Sequence, residues 1–113
     1  MAPAFISSEI YRATGYRGNH PLAIARVGPV MSLCEMLGWF TEDAPYLQSP
    51  QASLGTITRF HKADYVAALR EAEVAGRVSP EARETYNIGT MENPVFQGLY
   101  QRASTSLGGS ILA

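Results

Sequence analysis

The chain has 113 residues, 46% of them apolar and 17% charged, with a formal net charge of −1. Those proportions describe one small folded unit, residues 1–113, long enough to hide roughly two-thirds of its unfolded surface. They exclude direct nucleic-acid binding by bulk charge, and no apolar run approaches the ~20 residues that span a membrane. Cys34 is the only cysteine, which excludes an internal disulfide framework and predicts a reducing, cytoplasmic compartment.

Ala4 to Tyr11 (AFISSEIY) mixes Phe, Ile and Tyr over a short span, as the first strand of a parallel sheet does, and predicts a strand feeding a loop. Arg12 to Pro21 holds two glycines, an Asn and an X-Pro step, so it is expected to be irregular and exposed. From Leu22 to Trp39, residues Ile24, Val27, Met31, Cys34 and Leu37 follow helical spacing, with Gly38 as a stop. Pro29 falls inside that pattern, where a proline costs about 3 kcal/mol in a helix interior. The helix therefore either kinks at Pro29 or starts near Gly28 with the proline in its first turn.

Tyr46-Leu47-Gln48 is a short second strand between Pro45 and Pro50, and Ser53 reads as the N-cap of a brief helix from Leu54 to Phe60. Ala63 to Ala75 is the cleanest helix. Tyr65, Leu69 and Ala72 line one face, Asp64 sits in the first turn, and Gly76 ends it. Pro80 to Thr85 is a further short helix, Tyr86 to Pro94 a loop, and Phe96, Leu99, Tyr100, Ala103 and Leu107 a last helical stripe toward Ala113. A strand–helix–strand–helix order implies a parallel sheet with more strands than this chain supplies.

Motifs that carry chemistry are few. His20 and His61 stand far apart with Cys34 between them, and no spacing resembles a local metal motif. A zinc site from both histidines and a carboxylate competes with plainer roles: His61 in a cap interaction near Asp64, Cys34 as a small buried hydrophobe. Gly108-Gly109-Ser110 inside a helical stripe marks close packing on a neighbour rather than a phosphate loop. Arg26 near a helix start and Glu92 in a loop are, by default, solvated charges.

Three phrases change the weight of those two residues. His20-Pro21-Leu22-Ala23-Ile24-Ala25-Arg26 resembles the His-Pro…Arg element of histone deacetylases and of their acetoin-utilization-type and acetylpolyamine-type amidohydrolase relatives. Phe60 to Arg70 (FHKADYVAALR) looks like the His-x-x-x-Tyr…Leu segment of that family. Asn93-Pro94-Val95-Phe96-Gln97-Gly98, with Gly108-Gly109-Ser110 after it, is similar to its Pro-Val-Phe-x-Gly…Gly-Gly-Ser stretch. Their order and intervals agree over about Phe5 to Leu112.

The resemblance implies an α/β fold, the amino-terminal part of the arginase–deacetylase three-layer αβα architecture. It implies a zinc-dependent amidohydrolase that splits the N-acetyl amide of acetyl-lysine or an acetylated polyamine into amine and acetate. The family's zinc ligands and paired histidines find no match here, so no catalytic or metal residue is carried over and no zinc is expected on this chain alone. Two positions are carried over. Arg26 matches a buried arginine near the floor of the active site, lining an internal cavity that handles acetate, and Glu92 matches an acidic residue at the substrate rim. Many family members have Asp there, and Glu is one methylene longer.

The implied partner is a carboxy-terminal catalytic portion, or self-association in its place. The competing readings are a non-catalytic binding or oligomerisation module derived from the family and an unrelated small α-rich protein. Antiparallel pairing of the two strands would reject the fold.

Overall fold

Two three-residue strands set the frame. In the computed structural model, which describes residues 2–13, 15–16 and 18–113, β1 (Phe5–Ser7) and β2 (Tyr46–Gln48) run parallel, with Phe5 opposite Tyr46 and Ser7 opposite Gln48. Thr14 and Arg17 of the predicted loop lie outside the described residues. Parallel neighbours need a crossover, and α1 (Val27–Met36) lies in it. The pairing is the one the arginase–deacetylase expectation required.

β1 is shorter than the predicted span from Ala4 to Tyr11. Ser8 turns the chain: its hydroxyl accepts a hydrogen bond from the Ile10 amide at 3.4 Å, and a 3-10 helix (Glu9–Arg12) follows. Serine favours such local capping over continuing a strand. Arg12 then fastens this turn to α1. Its Nε donates to Glu9 at 2.5 Å, its Nη1 to the Ser32 hydroxyl at 2.9 Å, and its Nη2 to Glu35 at 3.1 Å. The hydrogen bond to Glu9 holds the guanidinium above its ordinary pKa.

α1 begins at Val27, which settles the position of Pro29. The proline sits in the first turn, where its missing N–H would have had no helical partner. The buried face differs from the predicted one. Gly28, Met31 and Cys34 are buried, whereas Ile24 and Leu37 are exposed. Ile24 falls out of the helical register because a separate 3-10 turn (Pro21–Ala23) precedes it. At Gly28 the Arg12 backbone approaches closely: a Cβ there would sit 3.3 Å from the Arg12 Cα.

Downstream, Ser53 caps α2 (Leu54–Ile57) by accepting from the Thr56 amide, and that helix is three residues shorter than predicted. α3 (Ala63–Ala75) matches its predicted span, and Gly76 closes it in the left-handed conformation at φ 66°. α4 (Pro80–Tyr86) has Ser79 as its cap. Leu69 and Ala72 of α3 pack with Ile88 as a core, flanked by Val78, Tyr86 and Leu99. Ile88 lies in the predicted loop yet is fully buried.

α5 (Leu99–Leu112) covers the sheet face opposite α1. Strand alternation sends Ser7 one way and Ile6 the other. The Ser7 hydroxyl meets the Met31 sulfur at 3.4 Å, while a Cβ on Gly109 would be 3.4 Å from Ile6 Cγ2. The Ser49 hydroxyl donates to the Thr105 carbonyl at 2.5 Å, and the Ala52 amide donates to the Ser104 carbonyl at 3.0 Å. A Cβ on Gly108 would lie 1.8 Å from the Pro50 carbonyl oxygen, so only glycine admits this approach. Close packing is the role of Gly108 and Gly109, while Ser110 is exposed and bonds back to the Ser106 carbonyl.

The N-terminus of α5 has no side-chain cap of its own. Glu73 of α3 supplies one from across the fold, accepting from the Gly98 amide at 2.6 Å and the Tyr100 amide at 3.0 Å. A carboxylate there meets both the orphan donors and the positive end of the helix dipole. The result is three layers, α1, sheet and α5, with α2 to α4 packed alongside. Among the described residues no helix is long and apolar enough to cross a membrane.

Candidate functional site

Arg26 stands at the start of α1, at its N-cap position, with φ −124° and ψ −47°, neither helical nor extended, and no side-chain cap bond. Its Nη2 donates to the Pro21 carbonyl at 3.2 Å, so the guanidinium braces the turn that precedes the helix. The residue is exposed and lines a cavity of about 170 Å³ with Tyr11, Tyr16, Leu22 and Arg102. A neighbouring cavity of about 340 Å³ shares Tyr11, Tyr16, Val27 and Arg102 with it and continues to Phe96 and Leu99.

The chemistry of this wall is cationic. Arg102 of α5 donates from Nη1 to the carbonyls of Ile10 at 3.3 Å and Ala13 at 2.8 Å, and its guanidinium lies 5.2 Å from the Tyr11 ring centroid. The Tyr11 hydroxyl is buried and has no hydrogen-bond partner among the described residues. A buried hydroxyl left unpaired costs about 1–3 kcal/mol, and this one is covered on all sides, so it is the Tyr11 ring that faces the cavity. The exposed guanidinium of Arg26 has the charge to complement a small anion in this wall.

Glu92 lies in a tight turn after α4. The Gly89 amide donates to the Asn93 carbonyl at 2.8 Å, the Asn93 amide to the Thr90 carbonyl at 3.2 Å, and Arg83 Nη1 to the Gly89 carbonyl at 2.7 Å. Gly89 has φ 79°, and a Cβ on it would meet Val78 Cγ2 at 2.6 Å, so both conformation and space demand glycine. Glu92 is exposed, and among the described residues no hydrogen bond or ion pair holds its carboxylate. It is free to accept from an incoming amide N–H. Arg26 and Glu92 line no common cavity among those described.

The two histidines take different roles from those the sequence suggested. His61 makes no cap bond; Lys62 occupies that position without a side-chain bond, and the His61 ring packs edge-on against Phe60 and tilted against Tyr65. His20 caps the 3-10 turn Pro21–Ala23: its Nδ1 accepts from the Leu22 amide at 3.1 Å, and its Nε2 lies 2.9 Å from the Met91 carbonyl. Tyr16 stacks on the ring at 4.4 Å.

Sequence reasoning singled out Arg26 and Glu92 but missed Tyr11, Arg102 and this bridging use of His20. The Arg102 position, four residues after Gly98 on the helix that closes the sheet, was the available signal for its inward reach.

The zinc that the family resemblance implies finds no seat in these residues. Among the described residues no three His, Cys, Asp or Glu side chains come together as a ligand set. Both nitrogens of His20 are already engaged, and His61 lies among aromatic rings.

No family model matches the chain. It is similar to the acetoin utilization protein AcuC of Bacillus subtilis (strain 168), 31% identical over 109 residues, which is 96% of this chain and 28% of that protein. Among solved structures it superposes on a histone deacetylase homologue from Aquifex aeolicus with a TM-score of 0.86 and 32% identity, over 97% of this chain and 30% of that one. A histone deacetylase homologue complexed with SAHA matches with a TM-score of 0.85 and 30% identity, over 98% and 29% of the two chains. The chain thus spans less than a third of the length of these relatives. In sequence and in fold alike, it is a part-length relative of the histone-deacetylase-type and acetoin-utilization-type proteins, built on the arginase–deacetylase architecture.

Proposed function

We propose that this chain is the amino-terminal, substrate-handling portion of a histone-deacetylase-like zinc-dependent amidohydrolase. In that reading the whole protein hydrolyses the N-acetyl amide of acetyl-lysine or an acetylated polyamine to amine and acetate. Glu92 accepts hydrogen bonds from the substrate at the rim, and Arg26 handles the acetate. In that reading the chain's own contribution is binding and orientation, and the ligand set that holds zinc is supplied by the rest of the protein. A carboxy-terminal catalytic portion is its natural partner. The observation that supports the reading is the cavity of about 170 Å³ that Arg26 lines with Tyr11, Tyr16 and Arg102, roomy enough for a carboxylate of acetate size beside a guanidinium.

Acetate titration followed by NMR tests it. Acetate is expected to shift the resonances of Tyr11, Val27 and Arg26, and Arg26→Gln to weaken that binding by about tenfold, as loss of one charged hydrogen bond would. Shifts that survive in Arg26→Gln unchanged, or no shifts at all, overturn the assignment. Turnover of an acetyl-lysine substrate by the isolated chain in the presence of zinc overturns its non-catalytic status.

A second reading, a non-catalytic binding or oligomerisation module, draws on the outer face of α1. Val30, Leu33, Met36 and Leu37 are all exposed there, with Trp39 just beyond. So much apolar surface in one place favours a covering partner, whether a companion segment or a second copy.

A further inference from the structure

We propose that the cavity shared by Arg26 and Arg102 is a two-cation site for a short dicarboxylate, an inference that rests on reading Arg26 as the group that handles the acyl product. Both side chains line the same space of about 170 Å³, one from the start of α1 and the other from α5. Among the described residues no carboxylate lines it. None lines the cavity of about 340 Å³ that shares Tyr11, Tyr16, Val27 and Arg102 with it. The acids of the surrounding elements are engaged elsewhere: Glu9 and Glu35 pair with Arg12, and Glu73 caps α5. Two like charges bordering one small cavity repel, and an anion that reaches both removes that repulsion.

Each guanidinium is fixed by one nitrogen and open at the others. Arg26 Nη2 donates to the Pro21 carbonyl at 3.2 Å, and Arg102 Nη1 to the carbonyls of Ile10 at 3.3 Å and Ala13 at 2.8 Å. Nε and Nη1 of Arg26, and Nε and Nη2 of Arg102, meet no acceptor among the described residues. Arg102 lines a third cavity as well, with Ile10, Gly15 and Gln101, so its side chain borders open space on more than one flank. The Tyr11 ring, 5.2 Å from the guanidinium, steadies it there. A steadied planar fork with free N–H groups is the geometry that takes a carboxylate through two bonds.

The remaining lining selects the kind of anion. Leu22, Ile24 and Val27, with the rings of Tyr11 and Tyr16, make an apolar wall that suits a hydrocarbon spacer between charged ends. Acetate engages one guanidinium and leaves the second unused. Phosphate brings charge without a spacer. A short diacid such as succinate uses both arginines and the wall. The acyl group removed by the whole protein is then one that ends in its own carboxylate. Water's oxygen bonds to the acyl carbon, the C–N bond breaks, the amine nitrogen takes the proton, and the dicarboxylate is the product held here. Acetyl is the shorter group that the same site admits.

NMR titration of the purified chain with succinate, acetate and inorganic phosphate, at one ionic strength, tests the site. Succinate is expected to bind about tenfold tighter than acetate, as one added charged hydrogen-bonding contact would give, and tighter than phosphate. It should move the side-chain Nε–H signals of both Arg26 and Arg102. Arg102→Gln should bring succinate down to the affinity of acetate, whereas Arg102→Lys keeps the charge and should keep most of the preference. Arg26→Gln gives up only the bond to Pro21, so it reads the same loss without disturbing the braces on Ile10 and Ala13.

Equal affinity for succinate and acetate, phosphate binding as tightly as succinate, or a succinate preference that survives Arg26→Gln and Arg102→Gln overturns the two-cation site. Failure of the product reading looks different. If succinate binds through both arginines while acetate binding ignores Arg26→Gln, the acetate role of Arg26 falls and the dicarboxylate site stands without it.

Discussion

The helices on the two faces of the sheet bury opposite kinds of residue. α5 buries Ser104, Thr105 and Gly108, while α1 buries Gly28, Met31 and Cys34 and leaves Leu33, 54% exposed, and Met36, 85% exposed, outside. On the α5 side the backbone approaches so closely that small residues and hydroxyl-to-carbonyl hydrogen bonds make the contact. On the α1 side Met31 and Cys34 make much of the contact with their side chains, and Val30, Leu33 and Met36 on another flank are half or more exposed. Burial here follows the distance of approach more than the apolarity of the residue.

Substitutions that force side-chain bulk into the α5 contact are the strongest way to break this contrast. Gly108→Val should cost about 3 kcal/mol or more, because the obstructing atom is a backbone carbonyl that cannot swing away. Gly109→Ala meets the Ser49 hydroxyl instead and should cost about 1 kcal/mol; chemical denaturation of both variants reads the difference. Equal losses would mean the two glycines share one looser contact.

The cap of α5 comes next. Glu73→Ala should destabilise by about 2 kcal/mol, since it removes a charged acceptor from two amide donors, and Glu73→Gln by roughly half that. An effect confined to thermal unfolding of α3, with amide protection at Gly98 and Tyr100 intact, would show that another group caps the helix.

On α1 the expectation reverses. Leu33→Lys combined with Met36→Lys should alter stability by less than about 0.5 kcal/mol while reducing self-association measured by light scattering. Unaltered association would place the contact surface elsewhere. The smallest effect is at alkaline pH. Burial raises the Tyr46 phenol above its ordinary value, so the fold binds that proton more tightly than the unfolded chain does. The stability this contributes is full below the unfolded phenol's value of about 10 and is lost as pH rises through the higher folded value. Tyr46→Phe should flatten that part of the stability profile.

Local rules carried much of the fold. α3 was legible because Tyr65, Leu69 and Ala72 recur at helical spacing between Asp64 and Gly76, and the cap at Ser53 follows from its hydroxyl alone. Gly108-Gly109 announced close packing because a glycine pair in a helical stripe has few other uses. What periodicity could not show is a contact made by one residue across the fold. Glu73 caps a helix 25 residues away, His20 holds a carbonyl 71 residues away, and Ile88 enters the core from a turn. The inward face of α1 was misjudged for a related reason: a periodic apolar pattern names a stripe, but the backbone of Arg12 decided which part of it could be approached.

For the candidate site, the phrases around His20 and Asn93 pointed to Arg26 and Glu92. The unpaired Tyr11 hydroxyl and the reach of Arg102 emerge only when α5 is laid beside the first turn. Those are tertiary facts, and no local spacing encodes them.

The seat of Gly108 also sets an order of events at the ribosome. Both strands leave the exit tunnel well before the helix that must lie on them, since Ser49 waits for Thr105, 56 residues later. At about 5–20 residues per second, that interval lasts several seconds, during which one side of the sheet is wet and open to chaperones. Within this segment α5 is the bolt that closes that side of the sheet, and a nascent chain stalled before it would carry an unfinished surface.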